Sequence, residues 1–330
     1  MTEKAHKAER VFSGTRATGR LHLGNYLGAV KGYIALSERS DLECIYMAVD
    51  VHTITTPYDP KTLKSAARAV IADYLAAGLD PERAFITIQS LVPEHTELGF
   101  YFSSLVSVAR MQHLPTFKDK VKQHPDHVTM ALLNYPVLQA ADILMYKAGL
   151  VPVGVDQEPH LEISREIAKK MNQLYGTDFP EPVRFATEAY SVPSLSGEGK
   201  MSKSIEGSYI TLVDTPEQIR KKIRSVPTAT TAGGQKNAGI QTLFTLLGLF
   251  APAEVAGFEK SFQNGSLRFV ELKDRVADLI TADLAPIRKR RLELDRDPAY
   301  VDRVITRAAE ACRDIAQATM TEVRQKMGFR

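Results

Sequence analysis

Between residues 11 and 93 the chain alternates short apolar runs with helical patterns, and that alternation restricts the fold more than any other feature. Residues 11–14 read as a short strand entering a loop punctuated by Gly19, Gly24 and Gly28, with a helical pattern over 25–36. Residues 44–51 are mainly apolar, as a strand buried on both faces requires. Asp59-Pro60 then supplies a cap and a first-turn proline for a long helix to about Ala77. A second buried strand at 84–88 follows, and 90–93 lead into another helix. Strand, helix, strand, helix, strand is the grammar of a parallel sheet covered by helices, so an α/β class is predicted.

Further on, the pattern is helical over 101–148, with interruptions expected at Pro115 and Pro136. A short strand is predicted at 151–154 and a helix at 158–174, with Arg165 and Lys169 on its outer side. Past Ser204 the chain turns almost wholly helical, apart from residues 225–238, rich in Gly, Thr and Ala and predicted as a mobile loop. In the last helix Val301, Val304, Ile305, Ala308, Cys312, Ile315, Met320, Val323 and Met327 fall on one stripe, the mark of core packing. The predicted organisation is a leader over 1–10, a Rossmann-like domain over 11–205 with a helical insertion around 101–148, and an all-helical domain over 206–330.

Composition excludes several classes. With 44% hydrophobic and 25% charged residues, 330 residues are enough for one large or two medium domains with a substantial core. No apolar run approaches a membrane span. The polar, mixed-charge residues 1–10 lack a signal-peptide core, so a cytoplasmic location is expected. Two cysteines, Cys44 and Cys312, cannot build a disulfide framework or a four-cysteine metal or iron–sulfur site. A net charge of +3 does not announce a nucleic-acid binder. Two basic runs, 220–224 and 288–291, are either solvated helix faces or an RNA contact.

Two motifs carry the chemistry. Thr18-Gly19-Arg20-Leu21-His22-Leu23-Gly24-Asn25 lies between a predicted strand and a predicted helix. That placement offers free N–H groups and a dipole to an anion, with glycines where backbone and nucleotide approach closely. Lys200-Met201-Ser202-Lys203-Ser204 follows a polar, glycine-containing stretch and carries two ammonium groups suited to charge growing on a departing phosphate. No Gly-x-x-x-x-Gly-Lys-Ser/Thr loop is present, which disfavours an ordinary P-loop enzyme. In this order and at this spacing, the pair resembles the two ATP-handling signatures of the class I aminoacyl-tRNA synthetases. The resemblance implies that Thr15, Arg16, His22, Gly24, Asn25, Asp156, Lys200, Met201, Ser202, Lys203 and Ser204 bind ATP. It also implies that Lys200 and Lys203 assist departure of pyrophosphate, with Lys120, preferred over Lys118, as a further phosphate-reaching lysine.

Three stretches point to the tryptophan branch. Residues 135–144 (Tyr-Pro-Val-Leu-Gln-Ala-Ala-Asp-Ile-Leu) resemble its specificity helix, and residues 151–162 resemble its segment for the ribose and the substrate ammonium. Phe12 stands before Ser13-Gly14, where tyrosine enzymes place a Tyr. The chain resembles the bacterial-type tryptophanyl-tRNA synthetases, densely over 12–209 and more loosely beyond. Indole has one polar handle, an N–H donor, and Asp142 is a suitable acceptor in an apolar run. The resemblance implies a tryptophan pocket of Phe12, His52, Tyr135, Gln139, Asp142, Ile143, Val151, Val153 and Gln157, with Gln157 on the ammonium and Asp156 on the ribose. It implies ATP with Mg2+ held mainly by the phosphates, no dedicated protein metal site, tRNA(Trp) and L-tryptophan as substrates, and a homodimer whose subunits one tRNA bridges. Arg16 and Val155 depart from the Gln and Glu frequent at these places. Two alternatives stay open: a tyrosine enzyme, since some share the Tyr-x-x-x-Gln-x-x-Asp spacing, and a synthetase-like paralogue with a binding or regulatory role.

Overall fold

The computed structural model describes residues 8–185, 192–197, 199–203, 205, 207–229 and 235–329. Ser204, most of the 1–10 leader and residues 230–234 of the predicted loop lie outside the described residues. Strand β1 (Glu9–Arg16) pairs in parallel with β2 (Leu42–Val49), and β2 with β3 (Ala84–Ile88). On its other edge β1 meets β4 (Leu150–Val151), which meets β5 (Val183–Arg184). The order β3-β2-β1-β4-β5, all parallel, is that of a Rossmann-like sheet. The order reverses between β1 and β4, and in such sheets the crevice at that reversal, beyond the strands' carboxyl ends, takes ligands.

Local signals explain which predicted boundaries stand. Helix α4 (Pro60–Ala77) starts where the Asp59 side chain accepts the Lys61 N–H at 2.9 Å, and ends at Gly78 with a left-handed φ of 107°. The helical pattern at 25–36 divides instead. His22 caps a single turn, α1 (Leu23–Asn25), a π-helical turn follows at Tyr26–Val30, and α2 (Lys31–Ser37) completes the run. Such π turns are rare and concentrate at functional sites. After β2 comes the short α3 (Asp50–Thr53), and after β3 the helices α5 (Glu94–Ser103), α6 (Val108–Gln112) and α7 (Pro115–Gln123). Pro115 does restart a helix. Pro136 does not interrupt one: it is buried inside α8 (Met130–Met145). The missing N–H there is a local cost that packing of α8 against α5 and the following α9 (Glu158–Tyr175) overrides. The strand predicted at 151–154 shrinks to two residues, since Pro152 cannot donate to a ladder.

The chain after the second signature is helical: α10 (Pro216–Arg224), α11 (Ala238–Phe250), α12 (Pro252–Gln263), α13 (Phe269–Arg296) and α14 (Pro298–Lys326). One hydrophobic core joins the face of the sheet carrying Val11, Cys44 and Tyr46 to α4, α10, α11 and α13. A second core covers the opposite face, where Phe12, Ile45 and Met47 meet α8, α9 and the end of α14. Helix α14 returns along the sheet layer: Thr87 donates to the Ile305 carbonyl at 3.0 Å and Thr319 to the Met145 carbonyl at 2.8 Å. Its apolar stripe is the expected core face, with Cys312 and Met320 fully buried.

The basic run at 288–291 is corrected by its surroundings. Arg291 is buried and paired with the equally buried Asp73 of α4, and also donates to Asp295 at 3.1 Å. Arg288 donates to the Asp214 carbonyl at 3.0 Å. Arg291 lies four residues past the buried Ile287 and seven past the buried Leu284, on the inward face of α13, so this member of the run is structural rather than an RNA contact. Removing one partner of a buried pair strands the other charge, which costs about 3–5 kcal/mol. Arg291→Leu is therefore expected to lower unfolding stability by about that amount in urea titrations. Restoring balance with Asp73→Asn in the same chain is expected to recover part of the loss; a change under about 1 kcal/mol for Arg291→Leu would contradict the pairing.

Candidate functional site

The first signature is held from three directions. Gly19 takes a left-handed φ of 94°, which lets the loop double back after β1. The Leu21 N–H is bound by Asp73 at 2.7 Å. Residues after the second signature close the loop from the other side: Leu23 N–H donates to the Ile210 carbonyl at 2.8 Å and Leu212 N–H to the Leu21 carbonyl at 3.2 Å. Within it His22 Nδ1 accepts the Asn25 N–H at 3.3 Å, while the Asn25 side chain accepts the His22 N–H at 3.1 Å. That capping box leaves Nε2 of a neutral His22 as a donor. Burial, reinforced by the nearby Lys203 charge, holds the His22 pKa down at about 4, so the ring is neutral at physiological pH. Gly24 keeps this contact close: a Cβ there would stand 3.0 Å from the His22 ring and 3.4 Å from Met201 Cβ, so the imidazole would have to shift by a few tenths of an ångström.

The second signature packs onto the first. Lys203 Nζ donates to the Thr18 and Gly19 carbonyls at 3.2 and 3.0 Å. Burial lowers its pKa to about 8, against the opposing pull of Asp73. Met201 is buried in the first core and its N–H pairs with the Val192 carbonyl at 2.9 Å, which anchors the segment, whereas Lys200 is exposed. The carbonyl of Ser202 accepts from the Ser208 hydroxyl at 2.7 Å. Arg16, at the end of β1, donates to the Thr56 hydroxyl at 2.6 Å, and its buried Nε has no partner. Lys120 of α7 donates to the Gln123 side chain at 3.0 Å, and burial, then the charge of Arg16, lowers its pKa. Lys203 beside the first signature, the neutral His22 imidazole and the Asn25 side chain are donor types suited to phosphate oxygens. Among the described residues no group of three or more His, Cys, Asp or Glu is placed to hold a metal ion.

Asp142 is the centre of a neighbouring cluster of buried polar side chains. It is 1% exposed on α8, yet accepts from three side chains. His52 Nε2 reaches Oδ2 at 2.9 Å, His95 Nδ1 reaches Oδ1 at 2.6 Å, and Gln89 Nε2 spans both oxygens at 2.8 and 2.9 Å. Burial alone would push this carboxyl up; the charges and hydrogen bonds of His95 and His52 outweigh it and hold the pKa at about 2. Phe12 is buried nearby, stacked on Tyr146 with ring centroids 5.6 Å apart. Ile143 and Val151 are buried with it, and Val153 lies at the edge of the same core.

A second network holds the segment after β4. His160 of α9 meets Tyr135 at 3.0 Å and Thr116 at 2.8 Å through Nε2, and Gln157 at 3.0 Å through Nδ1. Gln157 in turn donates to Asp156 at 2.8 Å. Burial, and then the His52 charge, lowers the His160 pKa to about 4, with Asp156 opposing. The Tyr135 and His52 rings lie edge-on at 6.5 Å, which joins the two networks. Phe12, His52, Tyr135, Asp142 and Gln157 thus share one contiguous site beyond β1, β2 and β4. Gln139 is half-buried on α8, one turn before Asp142. Thr15 turns the other way, toward the Tyr33 and Tyr74 hydroxyls, because neighbouring residues of a strand face opposite sides. Gln89, His95, Tyr146, His160, Thr56 and Thr116 belong to the site but are not singled out by the sequence. Only Gln89 and His95 carry a signal, as polar residues beside the buried strand at 84–88.

A family model described as tRNA synthetases class I (W and Y) matches residues 4–283. The chain is 40% identical to the tryptophan--tRNA ligase of Porphyromonas gingivalis, over 98% of this chain and all of that one. It is 40% identical to that of Treponema pallidum, over 97% of each. A tryptophanyl-tRNA synthetase from Campylobacter jejuni, solved with ADP and tryptophan, superposes with a TM-score of 0.84 at 29% identity, over 97% of this chain and 100% of that one. From its sheet order, its paired signatures and these likenesses, the chain belongs to the class I tRNA synthetases of the tryptophan and tyrosine group.

Proposed function

We propose that this chain is a tryptophan--tRNA ligase that activates L-tryptophan with ATP to tryptophanyl-adenylate, releases pyrophosphate, and transfers the acyl group to tRNA(Trp). The observation that carries the choice of tryptophan is the buried, ionised Asp142, held by His52, His95 and Gln89 in the core that also contains Phe12, Ile143 and Val151. An acceptor-only group suits an indole N–H. Near-full-length relatives at 40% identity bear the name tryptophan--tRNA ligase, which favours tryptophan over tyrosine. In this reading Asp142 takes the indole N–H and Phe12, Ile143, Val151 and Val153 wall the ring. Gln157, Tyr135 and Gln139 receive the ammonium end, Asp156 the ribose, and His52 lines the ring end beside Asp142. The substrate carboxylate attacks the α-phosphorus, and pyrophosphate leaves with charge growing on its bridging oxygen. His22 Nε2 and the Asn25 side-chain amide face the phosphates; the backbone N–H groups of Leu21, His22, Leu23 and Asn25, expected to be free for an anion, are instead bound within the protein. Lys200, Lys203 and Lys120 supply positive charge, and Arg16 adds to it. Mg2+ on the nucleotide would neutralise the β- and γ-phosphates.

A homodimer completes the proposal. Phe100 of α5 is 77% exposed and Met130, at the start of α8, 72%, with Val108 and Val128 also exposed on adjoining elements. Apolar exposure of this kind on a soluble enzyme marks an interface, and a second copy is its simplest self-complementary occupant. The remaining exposed positive charge after residue 205, notably Lys289 and Lys221, is where we place contact with tRNA. The cytoplasm is the setting such a reaction serves.

Four outcomes test this. Exchange of pyrophosphate into ATP is expected with tryptophan and not with tyrosine; exchange driven by tyrosine alone would reverse the choice, and exchange with neither would favour a non-catalytic paralogue. Lys203→Ala is expected to lower kcat of activation by about 10²–10³, with ATP KM nearly unchanged, because one charge donor acts mainly on the transition state. A defect confined to KM would show that it only binds. The Lys203 ammonium is charged below its pKa of about 8 and lost above it, so kcat/KM for ATP should fall as pH rises through about 8. Lys203→Arg should move that fall upward, and an unmoved inflection would assign it to another group. Phe100→Asp is expected to sediment as a monomer, and a persistent dimer would place the interface elsewhere.

A further inference from the structure

The carboxylate of Asp142 is not simply buried; it is oriented. An ionised carboxylate only accepts, so His95 Nδ1, 2.6 Å from Oδ1, carries a proton. The other nitrogen of His95 lies 2.8 Å from the Tyr146 hydroxyl, which donates to it when the ring is neutral. Tyr146 is fixed in turn by its stack on Phe12. Gln89 is fixed as well. Its Oε1 accepts the Val51 and His52 N–H groups at 3.1 and 3.3 Å, so its amide N–H groups have to turn toward Asp142. Oδ1 is consequently saturated from the interior by His95 and Gln89. Oδ2 has a different outlook: besides Gln89 its partner is His52, whose ring stands edge-on to Tyr135 at the pocket. His95 side-chain exposure is 1% and that of His52 is 10%.

We propose that His95, backed by Tyr146, is a positioning residue for amino-acid selection: it engages Oδ1 and turns Oδ2 of Asp142 toward the substrate's ring N–H. This rests on the reading that Asp142 accepts that N–H. His52 Nε2 lies against Oδ2, and the substrate N–H joins or replaces it there. His95 touches no substrate atom. Its effect reaches the substrate through the direction and charge of one oxygen, so it should govern discrimination by the ring N–H and little else. A purely structural buried histidine would instead affect all substrates alike.

The test compares tryptophan with its sulfur isostere, 3-(benzothien-3-yl)alanine, which keeps the ring shape and lacks the N–H, by pyrophosphate exchange on the full-length enzyme. The wild type is expected to prefer tryptophan in kcat/KM by about 10- to 100-fold, the weight of one hydrogen bond to a charged acceptor. His95→Leu is expected to reduce that preference below about threefold while kcat/KM for the isostere stays within about threefold of wild type. His95→Asn, which keeps a donor near the Nδ1 position, is expected to restore most of the preference. An undiminished preference in His95→Leu, or an equal loss for both substrates, would overturn the proposal. Should His95→Leu fail to fold by circular dichroism, Tyr146→Phe decides: a preference reduced at least threefold supports it, and an unchanged one overturns it. Failure of the underlying reading looks different. There the wild type itself would not distinguish the two substrates and Asp142→Asn would change nothing, and the role of His95 would fall with it.

Discussion

Asp73 holds the molecule's active end together. Its carboxylate, almost wholly buried on α4, binds the Leu21 N–H in the first signature and the Arg291 guanidinium on α13. Burial pushes this carboxyl up, and the Arg291 charge and the Leu21 N–H pull it back. One side chain therefore ties the loop that faces ATP to a helix of the sheet layer and to a helix of the C-terminal layer. Its charge also bears on Lys203, whose ammonium grips the same loop through the Thr18 and Gly19 carbonyls. Without Asp73, the two signatures would lose their common support.

Around that support the site divides by chemistry. The phosphate side is cationic and half-open, with Lys203, Lys120 and Arg16 partly desolvated so that each charge acts in a medium poorer than water. The amino-acid side is closed and anionic, with one carboxylate among two histidines, a glutamine and apolar walls. In the proposed reading, these halves bring the substrate carboxylate against the α-phosphorus. Position, rather than any single reactive group, does most of the work such a reaction requires.

Much of this was legible in the sequence because the relevant signals are local. The Asp59-Pro60 cap, the glycine after Ala77 and the apolar runs at 44–51 and 84–88 set their elements without outside help. Both signatures, and Asp142, His52, Tyr135 and Gln157, announce themselves by motif. What was not legible depends on contacts distant in sequence. His95 and Gln89 meet Asp142 across 47 and 53 positions, and Arg291 meets Asp73 across 218. A basic run reads as a surface feature until the helix phase and a distant aspartate turn one member inward. Pro136 reads as a break until the packing of α8 against α5 and α9 is known. The return of α14 onto the sheet likewise follows from tertiary burial of a stripe that periodicity alone can only assign to some core.

The central claim, that this pocket is built for tryptophan, can be measured directly because the chain contains no Trp of its own. Titrating the wild-type enzyme into L-tryptophan and following the amino acid's fluorescence reads binding without a protein tryptophan background. Saturable binding that excess tyrosine and phenylalanine fail to displace, and that Asp142→Ala abolishes, is the expected result. Equal displacement by tyrosine, or undiminished binding to Asp142→Ala, would contradict it.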